Sequence, residues 1–493
     1  MKKFLLPAAL ALPLMGFTNT VSGENLLEIY QQALQNDPEW AAIESNYEAD
    51  KQKVLQAKAG LKPSLSVNYS KSRTSSTAPN IDVALSDELN QGISNCSDGM
   101  GGITASCPDE LLSILQVPDQ GLFQLIEGES EKQSTTVDNF SLKFSQPLFN
   151  LERLYAYRSA KAGLSKTESD FDKARQDFFM RLASAYFETL KAQEELAFAL
   201  AENQAISDQL QLTKTRYELG LIRITDVNEA QSAVDLSQTG VILADSIYQN
   251  SLEKLSATTN TSISQLVPLA KDFPISMPKP EGFQAWIDLA LKYNKPLSSA
   301  QASVSAAEYD VIRKHSEHAP TVDLFASIDN IKTDAGDGNR FESSSNLTSD
   351  SESETIGLRV TIPLYSGGLT SSQARESRHR LDASTSHLEQ TTRNVTASIK
   401  NGYRNVVNDI KRIEVINLTL DSTKRALKST EEGYADGNRN IFDVLQAQRS
   451  LFSARRDLSN ARYDYIINSL KLKQIAGILD AEDLIIVNDW LAR

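Results

Sequence analysis

Tyr434-Ala435-Asp436-Gly437 is a turn-like spot near the middle of a segment that holds no proline after Pro363. Proline breaks helix interiors, and glycine is scarce here too. The segment therefore predicts helix, tight turn, helix. Tyr217-Glu218-Leu219-Gly220 punctuates a second such segment, proline-free between Pro147 and Pro268. The two segments are copies. Tyr186 matches Tyr403, Tyr217 matches Tyr434, Gly220 matches Gly437, Asp226-Val227 matches Asp443-Val444, and Tyr248 matches Tyr465, each pair 217 positions apart. A constant spacing means no insertion separates the copies over these hairpins, and such repeats set a fold.

The repeat extends upstream. Leu142-Lys143-Phe144-Ser145-Gln146-Pro147 resembles Leu358-Arg359-Val360-Thr361-Ile362-Pro363, and Pro63-Ser64-Leu65 resembles Pro320-Thr321-Val322. Each half predicts helix, strand, long loop, strand, long helix, turn, long helix. The first half spans residues 24–272 and the second 282–493, with a proline-rich linker at 273–281. Strands are expected near 64–72, 137–146, 321–330 and 355–363, with outer loops near 73–135 and 331–354.

The returning helices carry heptads. Val444, Leu451, Leu458, Tyr465, Leu472 and Leu479 stand seven apart, with Ala447, Ala454 and Ala461 between them. The first copy has Val227, Val234, Val241, Tyr248 and Leu255, with Ala230, Ser237, Ala244 and Ser251. A seven-residue period this long predicts a coiled-coil seam. Ordinary bundle helices, the alternative, drift toward a 3.6 period. The outgoing helix near 151–217 extends about 100 Å at ~1.5 Å per residue, which predicts an elongated molecule.

The strand candidates alternate. Leu65, Val67 and Tyr69 face one way, with Ser66, Asn68 and Ser70 opposite. Phe140, Leu142 and Phe144 repeat the pattern, as do Ile356, Leu358, Val360 and Ile362. Phe325 breaks it in the strand from Val322 to Ile328. One face of a soluble sheet would alternate likewise. In an exported chain with no core domain to cover the sheet, apolar-out and polar-in suits an outer-membrane barrel. Four strands cannot close a barrel, and open edges are not tolerated in lipid. The chain must share a barrel with copies of itself: two give eight strands, three give twelve.

Export is read from the N-terminus. Lys2 and Lys3 precede a short apolar run from Phe4 to Phe17, and Val21 and Gly23 supply small residues before a cleavage point. Residues 1–23 thus predict a signal peptide. No internal run reaches the ~18 apolar residues of a membrane helix. The net charge of −14 argues against nucleic acid as a partner. Much of that charge sits in the two expected outer loops: 73–135 hold ten acids and two bases, and 331–354 hold six acids and two bases. Cys96 and Cys107 lie close in sequence in an oxidising compartment, where a disulfide or two free thiols remain open.

The ordered set of two strand pairs and two long hairpins resembles the TolC family of outer-membrane efflux proteins. The residues that carry it are Arg216 to Gly220 with Thr225-Asp226-Val227, Gly433-Tyr434 with Gly437-Asn438-Arg439 and Phe442-Asp443-Val444-Leu445, and the start Glu24-Asn25-Leu26. The resemblance implies a homotrimer: a twelve-stranded barrel in outer-membrane lipid, continued by a coiled-coil tunnel through the periplasm. It also implies a periplasmic adaptor and an inner-membrane RND, ABC or MFS transporter as partners. Drugs, small amphiphiles or type I secreted polypeptides would pass unchanged, with no cofactor. The turns would form the closed periplasmic end. There Thr225 and Asp226 would face Tyr434 and Arg439, Gln209 would face Glu431, and Asp443 would line the constriction. Gln446 stands where relatives carry a second acid. The first outer loop is long for the family.

Plainer readings compete. Thr225 and Asn440 stand where helix N-caps belong, and acids at 226 and 443 suit a first turn. His315 and His318 flank Glu317 in a spacing that matches no zinc motif. No nucleophile elbow, phosphate loop or catalytic acid pair is recognisable. A conduit, not an enzyme, is expected. A periplasmic adaptor or coiled-coil adhesin is the alternative, although an adaptor usually has one hairpin and this chain has two.

Overall fold

The structure, a computed structural model, describes residues 23–85, 123–336 and 348–492; for 76–85, 123–133 and 335–336 it describes the backbone alone. The signal-peptide residues 1–22, the two cysteines and the middles of both outer loops lie outside the described residues. The chain divides into two units: a helical one of residues up to 58, 152–316 and from 366 on, and a strand unit of 59–151 and 317–365.

The helical unit begins with α1 (Leu26–Asn36) and α2 (Pro38–Ala59). Its first hairpin is α3 (Leu151–Glu218) and α4 (Ile224–Thr259). Two short helices follow the linker, α5 (Phe283–Tyr293) and α6 (Lys295–Ser316). The second hairpin is α7 (Leu369–Ala435) and α8 (Ile441–Ala476), and α9 (Ala481–Asn488) ends the chain. The outgoing helices have 68 and 67 residues, and the returning ones 36 each.

Both hairpin turns end their first helix in the same way. Gly220 and Gly437 take φ of +70° and +75°, the left-handed region open to glycine. In the first turn the Gly220 N–H donates to Tyr217 O and the Leu221 N–H to Arg216 O. In the second the Gly437 N–H donates to Tyr434 O and the Asn438 N–H to Gly433 O. These paired bonds satisfy carbonyls that a helix end leaves open.

The core is aromatic and runs along α3 and α8, with Phe178, Tyr186, Phe187 and Tyr463 almost wholly buried. The buried phenols are spent on bracing. Tyr186 Oη donates to Glu24 O and Val267 O at 3.3 and 3.1 Å, pinning the N-terminal segment and the stretch ahead of the linker. Tyr403 Oη accepts from the Gly282 N–H at 2.9 Å on the linker's other side. Burial raises the Tyr186 pKa above its ordinary value. Where α7 and α8 pack, a Cβ at Gly402 would make ordinary contact, 3.4 Å from Leu472 Cδ1.

The strand unit is one antiparallel sheet in the order β1 (Ser64–Leu85), β2 (Phe123–Phe149), β3 (Thr321–Gly336), β4 (Thr348–Thr361). The outer strands β1 and β4 each keep one edge without a partner strand among the described residues. Leu65 pairs Phe144, Phe144 pairs Ala326, and Ala326 pairs Ile356, so the apolar positions fall on one face. That face is bare: Tyr69, Ile356, Leu358 and Val360 are 60–79% exposed.

The sheet corrects two expectations. Strand pairing runs well past 72 and starts well before 137, so 73–85 and 123–135 of the expected loop are strand. Backbone ladders persist through the Ser/Thr-rich segments there, whereas apolar alternation marks only the part with an apolar face. Similarly, 331–336 and 348–354 of the second expected loop lie in β3 and β4. Phe325, which broke the alternation, lies on the polar face opposite Gly357. Its ring fills the space above that glycine, where a Cβ would stand 3.0 Å from Cζ, and Arg359 stacks on it at 4.6 Å. A cross-strand aromatic covering a glycine compensates for the missing side chain.

Candidate functional site

The two hairpin turns meet in the helical unit through a small apolar cluster. Ile206 and Leu210 of α3, Ala230 and Ala233 of α4, and Tyr434, Ile441, Val444 and Leu445 of the second hairpin pack together. Tyr434 is the hub. Its ring is buried, and the Arg216 guanidinium lies 4.8 Å from the ring centroid while Arg216 Nη1 donates to Tyr434 O at 3.2 Å. A cation over a phenol face is attracted by the ring quadrupole. Arg216 thus ties the first turn to the second.

The expected latch residues fall around this hub, and the chain alone does not join them as expected. Among the described residues, no hydrogen bond or ion pair links Thr225 or Asp226 to Tyr434 or Arg439. Thr225 Oγ1 donates to its neighbour Asp226 at 3.5 Å, and Arg439 Nη1 stands 3.8 Å from Asp443 Oδ2. Gln209 is buried on α3, and Glu431 is exposed on α7 with no bond between them. Tyr434 Oη and Gln209 Nε2 are both buried without a partner, which a folded chain rarely leaves so.

Asp443 belongs to a capping box. The Asn440 side chain accepts from the Asp443 N–H at 2.9 Å, and the Asp443 carboxylate accepts from the Asn440 N–H at 3.4 Å. This satisfies two open donors at the start of α8. Gln446 is exposed one turn later. The first hairpin differs. The N-cap of α4 is Arg223, which makes no side-chain cap, and Thr225 is already the second helical residue. Thr225 is therefore not a cap: the helix begins two residues earlier than the cap reading required, and Arg223 holds the position that Asn440 holds in the second hairpin.

Away from the turns, polar links join α3 to α8. Arg456 Nη1 meets Glu202 Oε2 at 2.6 Å. Tyr463 Oη donates to Glu194 Oε1 at 2.8 Å, and Ser459 donates to the other Glu194 oxygen. Lys191 reaches Asp464 at 3.5 Å, and Arg412 of α7 reaches the same carboxylate at 3.3 Å. Beside them Asn468 Nδ2 donates to the buried Asp409 carboxylate at 2.7 Å. Burial raises the Asp409 pKa, against that hydrogen bond and the nearby Arg412.

Sequence reasoning missed Arg216 as a site residue. Its counterpart 217 positions on is Gly433. A long cation in one copy and no side chain in the other was the signal. At Gly433 a Cβ would stand 3.0 Å from Arg439 Cγ. No three or more His, Cys, Asp and Glu side chains among the described residues are placed to hold a metal ion, His315 and His318 included. No described helix is long and apolar enough to cross a membrane.

The sequence matches the family described as Outer membrane efflux protein over residues 29–261 and 286–478. It is 31% identical to Outer membrane protein TolC of Vibrio cholerae, over all of this chain and 99% of that one. It is 28% identical to Alkaline protease secretion protein AprF of Pseudomonas aeruginosa, over 94% of this chain and 86% of that one. The fold is like that of a solved CusC structure, with a TM-score of 0.70 and 14% identity over 94% of this chain and 95% of that one. These full-length likenesses leave the adaptor and adhesin alternative without support. The chain belongs to the outer membrane efflux protein family, a channel of the outer membrane for efflux and secretion and not an enzyme.

Proposed function

We propose that three copies of the chain close a twelve-stranded barrel in outer-membrane lipid, continued by a coiled-coil tunnel through the periplasm. The observation that carries this reading is the four-stranded sheet, its two edges unpaired among the described residues, with one exposed apolar face. Lipid forbids open edges, so such a sheet needs neighbours. Repeated halves in each chain supply six similar hairpins for the tunnel wall. The trimer is the exit duct for drugs, small amphiphiles or type I secreted polypeptides. It works with a periplasmic adaptor and an inner-membrane RND, ABC or MFS transporter that supplies the energy.

The two turns form the closed end of the duct. Tyr434 Oη and Gln209 Nε2, unpartnered within one chain, support a latch completed when the hairpins of the assembled trimer come together. In that latch Thr225 and Asp226 face Tyr434 and Arg439, and Gln209 faces Glu431. Asp443, held by Asn440, lines the constriction with Gln446 one turn behind it. Thr225, Glu431 and Arg439 are exposed, and contacts of exposed groups are individually weak, which suits a gate opened by a binding partner. The test is single-channel conductance in planar bilayers. Tyr434→Phe combined with Arg439→Ser raises it if the latch is real, and unchanged conductance overturns the assignment.

A further inference from the structure

A cavity of about 270 Å³ lies far along the helical unit from the turns, between linker residues 274–279, α8 and α9. Trp286, Trp490, Tyr465, Met277, Ile466 and Leu470 line it. Two polar groups of that wall are already spent. Trp286 Nε1 donates to Pro280 O at 2.8 Å, and Tyr465 Oη donates to Ser276 O at 2.9 Å while accepting from the Ser276 N–H at 3.1 Å. What faces the cavity is aromatic and aliphatic surface, the usual lining of a small-molecule site.

Its charged groups are three: Lys279, Lys473 and Asp483. Asp483 is committed twice, to the Lys473 ammonium and to the Asp480 N–H at the start of α9. Lys279 is exposed and makes no hydrogen bond or ion pair among the described residues. The lining therefore carries a surplus positive charge in a chain whose net charge is −14.

We propose that this cavity binds a small amphiphilic carboxylate, its hydrocarbon against Trp286, Trp490 and Met277 and its head at Lys279. A neutral apolar ligand would leave the surplus ammonium unused, and a fully polar one would strip water from the wall without replacing it. The site is separate from the gate and does not depend on how the duct opens.

The chain has three tryptophans, and the third, Trp40, packs elsewhere against Phe171 and Phe178. The test is quenching of tryptophan emission by 11-bromoundecanoate in the assembled full-length protein held in amphipol. Saturable quenching that spares one tryptophan is expected. Lys279→Glu, an exposed change that leaves the fold intact, weakens binding about fivefold, the size of one partly exposed ion pair. Ser469→Phe, which fills the cavity, removes the saturable phase. Quenching that rises without saturation and is equal in all three proteins overturns the site. Equal affinity for 11-bromoundecanol overturns the carboxylate as its ligand.

Discussion

The returning helices α4 and α8 are both 36 residues long, follow a turn closed by a left-handed glycine, and carry the same heptad. Their surroundings differ. In α8 the seam residues Val444, Leu451, Ala454, Ala461, Tyr465 and Leu472 are buried. In α4 Ala230, Ala244 and Leu255 are buried too, but Val227, Val234, Val241 and Tyr248 are only half-buried, while Leu236, Ile242 and Leu243 are more than 60% exposed. The cause is the number of neighbours. α8 packs on α7 through its seam and on α3 through a second face bearing Arg456, Ser459 and Tyr463. α4 meets α3, where Asn203 donates to the seam residue Ser237 at 2.9 Å and Thr189 to Ser251 O at 3.2 Å, and it reaches α8 near the turns through Ala230 and Ala233. A heptad specifies one seam, and the second face is decided elsewhere in the fold.

The sharpest break of this comparison is one change made in both helices. Val444→Ala should lower thermal stability by about 2 kcal/mol, while Val227→Ala, at the half-buried equivalent, should cost under ~1 kcal/mol. Equal losses in thermal unfolding would mean that α4 is covered as fully as α8. Next in size is the tie between the turns. Arg216→Ala removes the stack on Tyr434 and the bond to its carbonyl, for a loss of about 1.5 kcal/mol. The same scan would register no shift if Arg216 were merely solvated.

The caps sharpen the contrast from both sides. Asn440→Ala should cost about 1 kcal/mol by breaking the capping box, whereas Arg223→Asp should add about 0.5 kcal/mol by supplying the cap that α4 lacks. A stabilising Asn440→Ala would refute the box.

The smallest effect is pH-dependent and belongs to the α7–α8 seam. The folded pKa of Asp409 is raised, so between its ordinary value of 3.8 and that raised value the folded chain binds more protons than the unfolded one. Stability therefore falls as pH rises through that window. Asp409→Asn, which still accepts from Asn468, should be more stable than the parent at neutral pH and equal to it below the window. Asp464 opposes Asp409 ionisation and Arg412 favours it, so parallel Asp464→Asn measurements separate the charge effect from burial.

Much was legible without coordinates. Proline-free segments, two turn glycines and a heptad suffice for two hairpins, because each reports backbone state over a short range. Alternation in Leu65, Val67 and Tyr69 reports one apolar face. Neither signal reaches across the chain. The run from Arg73 to Leu85 reads as loop because its Ser and Thr mark no apolar face, yet it is strand. Thr225 reads as a cap because residue type suits the role, yet the helix begins two residues earlier.

The sequence by itself determined the elements, their order and the repeat expected between them, since periodicity and punctuation are local properties. Tertiary structure alone decided that Arg216 stacks on Tyr434, that Phe325 covers Gly357, and that α8 is the enclosed copy. Each is a contact between residues far apart in the chain, and contacts of that kind depend on how faces meet, which no one-dimensional period encodes.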